Sequence, residues 1–146
     1  FVGVVDGGSF REIFKNGVLK IFAGSQPASA GDDESGYTEL CQITLASGSF
    51  TPGDGTNGIN FDEVVAGTLS KKAAEAWSGV NGATGSAGWF RFYTNDQDTG
   101  AESGGDKVRF DGAVATSGAQ LNMSSTSLTS GATTTIDSFD ITLPSS

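Results

Sequence analysis

The stretch Gly88-Trp89-Phe90-Arg91-Phe92-Tyr93 decides the fold class of this chain. In an extended segment successive side chains point to opposite faces, so Phe90 and Phe92 share one face while Trp89, Arg91 and Tyr93 share the other. Five large residues, four of them aromatic, suit a pleated surface far better than a loop, and the two phenylalanines are expected to enter the core. Downstream, Lys107-Val108-Arg109-Phe110 repeats the alternation, with Val108 and Phe110 inward and Lys107 and Arg109 outward. The turn-rich residues 96–106 between the two runs make them a hairpin with a long tip.

Working outward, Lys15-Asn16-Gly17 supplies the Asn-Gly pair of a tight turn, and Val18-Leu19-Lys20-Ile21-Phe22 after it is β-branched and aromatic. Pro27 closes off any ladder beyond Ala23-Gly24. Leu40 to Leu45 resumes extended character, with Cys41, Ile43 and Leu45 opposite Leu40, Gln42 and Thr44. Residues 47–60 form a long Gly-rich loop. Between Phe61 and Trp77 the sequence Lys71-Lys72-Ala73-Ala74-Glu75-Ala76 has helix-favouring composition, but Gly67-Thr68-Leu69-Ser70 reads as a strand start, and extended structure is preferred there. Short extended segments follow around Leu121-Asn122-Met123 and Thr126-Ser127-Leu128. In the final run Phe139, Ile141 and Leu143 alternate with polar neighbours until Pro144. Seven to nine short strands with a turn signal every 10 to 15 residues predict an all-β domain: an antiparallel, jelly-roll-like β-sandwich over residues 15–146 with long Gly-, Ser- and Thr-rich loops. Residues 1–14 precede it as an N-terminal arm or a first strand.

Composition narrows the function. The 146 residues include 22 Gly, 10 Phe and no His, with 8 basic against 17 acidic residues and a net charge of −9. Without histidine, a Ser-His-Asp or Cys-His relay cannot be built and the common His-containing zinc sites are excluded. The basic residues gather nowhere into a stripe fit for a phosphate backbone, so nucleic acid is not an expected partner. No apolar run approaches the roughly 20 residues that span a bilayer, and no membrane partner is expected. The single Cys41 rules out an intrachain disulfide and reads as a small buried hydrophobe. Carboxylate chemistry stays open in principle, but the acids sit in turn sequences such as Gly31-Asp32-Asp33-Glu34-Ser35 and Asn95-Asp96-Gln97-Asp98-Thr99-Gly100, where turn formation explains them. No catalytic pair, cofactor or metal is expected, and the chain is read as a non-enzyme.

Phe14 to Pro27, Gly88 to Tyr93, Ser117 to Met123 and Ile136 to Pro144 together resemble a family of small virion structural proteins of tailed bacteriophages. The resemblance implies a non-enzymatic component of the phage particle: a capsid decoration, or cement, protein bound to the major capsid protein, or a tail- or connector-associated protein. It also implies association with further copies of the chain in the virion. Net −9 agrees with such a role, since it keeps free copies apart and away from packaged genome. A carbohydrate- or receptor-binding module, with an exposed Trp77 or Trp89 stacked on a sugar, is the alternative from another class.

Candidate contact residues follow from side-chain type. Trp89, Arg91 and Tyr93 make an interface stripe if exposed, because aromatics and Arg dominate interface energetics; the plainer reading is a second buried face with Arg91 paired to an acid. Trp77, in its Gly-flanked segment, stands in the same position. Phe1, Val2, Val4 and Val5 lack a clear period and suit an arm laid on a neighbouring subunit, or an ordinary first strand. The run Asp96-x-Asp98-x-Gly100-x-Glu102 carries carboxylates at the spacing of a Ca²⁺ loop but lacks the EF-hand ligand order, and it reads as a turn.

Overall fold

The structure is a computed structural model, and it describes residues 10–103 and 107–142. Strands hold about 40% of the chain and helix about 3%, so the all-β expectation holds. One helical turn, α1 (Phe10–Ile13), precedes ten strands: β1 (Val18–Ala23), β2 (Glu39–Leu45), β3 (Thr68–Ser70), β4 (Trp77–Val80), β5 (Gly85–Tyr93), β6 (Arg109–Ala115), β7 (Leu121–Asn122), β8 (Ser127–Leu128), β9 (Thr133–Ile136) and β10 (Asp140–Thr142). They form a curled sheet in the order β7-β6-β5-β1-β2-β4-β9, with β8 joined to β5, and a separate β3–β10 ladder. The sheet is mixed, which corrects the expectation of antiparallel pairing throughout. Val114 and Ala115 of β6 pair in parallel with Leu121 and Asn122 of β7, because only five residues separate the strands and Gly118, at φ 74°, turns the chain back alongside.

β5 is the central plank. Phe90 opposes Ile21 of β1 and Gly112 of β6, and Phe92 opposes Leu19 and Phe110, so one face of three strands is continuously apolar. That concave face packs on Phe14, Ile59, Phe61, Leu69, Trp77, Phe139 and Ile141, all buried. Phe92 stacks on Phe110 at 5.1 Å and 8°, while Phe90 meets Phe110 and Phe139 edge-on at 5.9 and 5.3 Å. Aromatic contacts of this kind contribute about 0.5–1.5 kcal/mol each beyond area burial. The β3–β10 ladder and the 59–61 segment close the concavity.

Glycine allows two close backbone approaches in the sheet. A Cβ on Gly79 would run into the Gln42 carbonyl oxygen, and one on Gly88 into that of Gly24. The β1–β2 register slips between Ile21 and Phe22, so Phe22 pairs with Glu39, and both Leu40 and Cys41 enter the core. Simple alternation had placed those two on opposite faces. Of the 1–14 segment, the described part is a helical turn rather than a strand or a free arm, with Phe10 and Ile13 against the core and Phe14 fully buried. The stretch between Phe61 and Trp77 meets the expectation of extended structure only at β3, the rest being turns, isolated bridges and irregular backbone, and no helix forms there. The last predicted apolar position, Leu143, lies outside the described residues.

Candidate functional site

The convex face of β1, β5 and β6 lies opposite Phe90 and Phe92. Across three strands it presents Lys20 and Phe22, then Trp89, Arg91 and Tyr93, then Arg109 and Asp111. Strand pairing puts Lys20 beside Arg91 and Arg91 beside Asp111. Two cations side by side need acids or carbonyls, and the chain brings both.

Arg91 is fully buried and bidentate: Nε donates to Asp111 Oδ1 at 2.7 Å and Nη2 to Oδ2 at 2.9 Å. Its remaining donors reach the Asp32 carbonyl (2.7 Å) and the Ser29 carbonyl (3.4 Å). Arg109 repeats the plan, gripping both Asp98 oxygens at 2.7 and 2.6 Å and donating to the carbonyls of Ala30 and Ala101. Each guanidinium thus ties an overlying loop to the sheet, and the loops are tied together by Glu34 N–H to Gly100 O and Ser103 N–H to Gly31 O. Aromatic rings fill the gaps. Phe22 stacks on Trp89 at 4.2 Å with Tyr37 edge-on to it, Arg91 lies over Trp89, and Lys20 and Arg109 lie over Tyr93.

The electrostatics follow from burial. Desolvation pushes the Asp111 carboxyl above its ordinary 3.8, and Arg91 only partly offsets it. Burial also acts upward on Asp98, but hydrogen bonds from Arg109 and the Gly100 N–H outweigh it and hold that carboxyl below 3.8. Lys20 donates to Glu34 at 2.9 Å. Burial pulls the Lys20 ammonium down, and Glu34 and Glu39 more than compensate, so it stays above 10.5. Glu34 is raised by burial, and its Oε2, like Tyr93 Oη and Trp89 Nε1, is buried without a hydrogen-bond partner among the described residues.

These positions correct several expectations. Trp89, Arg91 and Tyr93 are buried beneath residues 24–38 and 94–103, so they are no exposed contact stripe; the plainer reading, with Arg91 paired to an acid, is the one observed. Trp77 sits in the concave core with its Nε1 on Glu75 Oε1 at 3.1 Å. Neither tryptophan is on the surface, which removes the sugar-stacking platform expected for a glycan-binding module. Arg109 points inward to Asp98, not to solvent, because a loop rather than water covers the convex face. In the Asp96–Glu102 run both Asp98 oxygens are occupied by Arg109. Phe1, Val2, Val4 and Val5 lie outside the described residues.

The surface itself shows features that sequence reasoning missed. Val65 and Thr68 exchange backbone hydrogen bonds around Ala66 (φ 51°) and Gly67 (φ 79°), a two-residue hairpin tip of the type that favours glycine. Val65, 71% exposed, and Val64 are carried out on this tip, and Val80 at the end of β4 is also exposed. The signal was present in the Val65-Ala66-Gly67-Thr68 spacing. A cleft of about 300 Å³ lies between α1 and the turn after β3, lined by Arg11, Glu12, Lys15, Asn16, Asn60, Phe61 and Lys72. Among the described residues no group of three or more Cys, Asp or Glu side chains is placed to hold a metal ion, and no helix is long and apolar enough to cross a membrane. Comparison with protein-family models, with curated proteins and with solved structures finds no match for this chain.

Proposed function

We propose that this protein is a non-enzymatic structural component of a tailed-phage virion, a capsid decoration protein that docks on the coat shell and on further copies of itself. One observation carries the reading: the buried guanidinium–carboxylate pairs Arg91–Asp111 and Arg109–Asp98 are spent on fastening loops to the sheet. Catalytic acids and bases face a cleft, whereas Arg91 and Asp111 face each other and backbone carbonyls beneath a loop. The chemistry therefore serves rigidity. In this reading the curled sheet and the β3–β10 ladder act as the two layers of a sandwich-like body, and docking falls to exposed features such as the Val64–Val65 tip. Binding to the assembled shell stabilises it by mass action on the bound state.

The test is co-sedimentation of the purified protein with empty shells of the phage that encodes it, together with mass spectrometry of purified particles. Saturable binding to shells and a regular copy number per particle are expected. Absence from particles rejects the reading, and presence only in isolated tails moves the protein to the tail-associated alternative.

A further inference from the structure

Half of the eight basic residues are committed elsewhere or in the loops: Lys20, Arg91 and Arg109 on the convex face, and Lys107 on the Gln97 carbonyl. The other four, Arg11, Lys15, Lys71 and Lys72, gather at one corner of a molecule of net −9. Lys71 is engaged by the Glu75 carbonyl at 2.5 Å and lies over the Trp77 ring. Lys15 and Lys72 are exposed at the 300 Å³ cleft, and neither ammonium has an ion pair or hydrogen bond among the described residues. Arg11, which also lines the cleft, is anchored through Nε to the Phe61 carbonyl, and its Nη1 lies 3.4 Å from the exposed Glu63 and 3.8 Å from the exposed Glu12. Such exposed pairs contribute little and are readily exchanged for a better partner. The other local acids are occupied: Glu75 accepts from Asn60 and Trp77, and Asp62 from the Ala73 N–H.

We propose that this cleft docks the carboxylates of an acidic segment of a protein partner, an inference that rests on the docking role above and names the chemistry of one contact. A guanidinium held at its Nε, lining one cleft with two ammonium groups that have no partner among the described residues, matches a carboxylate pair, with Arg11 supplying the planar donors. A nucleic-acid backbone is disfavoured because three cations lining one cleft form no stripe that could follow a run of phosphates.

The probe is a hexaglutamate peptide, with hexaglutamine as control, titrated at low salt against the wild-type protein, Lys15→Gln/Lys72→Gln and Lys107→Gln. Both cleft lysines are exposed, so the double variant is expected to melt like wild type. Hexaglutamate is expected to bind wild type and the Lys107 variant alike, to bind the double variant about tenfold more weakly, and to lose affinity as salt rises. Equal binding to all three proteins, or binding of inorganic phosphate in place of the peptide, overturns the proposal. Shell binding separates the two readings. If wild type and the double variant bind shells equally, the cleft proposal falls and the docking role stands; if wild type binds peptide but not shells, the docking role falls and the cleft stands.

Discussion

Removing Asp111 tests the account of the convex face most directly. Arg91 and Asp111 are both fully buried and joined by two short bonds. Desolvation outweighs the attraction at Asp111, whose carboxyl is held above its ordinary value, so the pair is a poor source of net stability while each member depends on the other. Asp111→Ala leaves a guanidinium with no counter-charge beneath the loop, and an unpaired buried charge costs about 3–5 kcal/mol. Arg91→Met with Asp111→Leu removes both charges. It forfeits the bonds to the Asp32 and Ser29 carbonyls, but those lie in a partly exposed loop where water replaces the donor. The double variant is therefore expected within about 2 kcal/mol of wild type, well above the single variant. Urea unfolding followed by tryptophan fluorescence reads all three proteins, since Trp89 lies against Arg91. An Asp111→Ala protein within about 1 kcal/mol of wild type, or a double variant as unstable as the single, refutes the argument.

Three further outcomes follow from the same geometry. Phe90→Ala removes a ring packed on Phe110 and Phe139 and is expected to cost about 3–5 kcal/mol in the same unfolding assay; an unchanged melting temperature rejects the concave-core assignment. Asp98 is held below its ordinary 3.8, so the stability it supplies is present above that value and is lost as pH falls through the lower folded value. Melting temperature measured from about pH 5 down to pH 2 should therefore fall more steeply for wild type than for Asp98→Asn, and parallel curves contradict the Arg109 grip. The Cys41 thiol is buried and pushed up to about 11, chiefly by desolvation, so a thiol reagent at neutral pH should label it only in denaturant. Rapid labelling of the native protein would place Cys41 outside the core.

The amino-acid sequence alone determined the all-β class, the inward face of Phe90 and Phe92, the Asn16-Gly17 turn and the buried Cys41, because these rest on a period of two and on turn chemistry local to a few residues. Pattern also assigned Trp89, Arg91 and Tyr93 to one face correctly. What covers that face was beyond it. The carbonyls that hold Arg91 and Arg109 come from residues up to 79 positions away, and a strand's alternation states which side chains point together without stating whether water or a loop meets them. For the same reason Arg109 read as exposed, Trp77 and Trp89 read as surface candidates, and the parallel β6–β7 pair and the basic cleft beside α1 emerged only once the chain was folded, since each depends on which distant segments the curled sheet brings together.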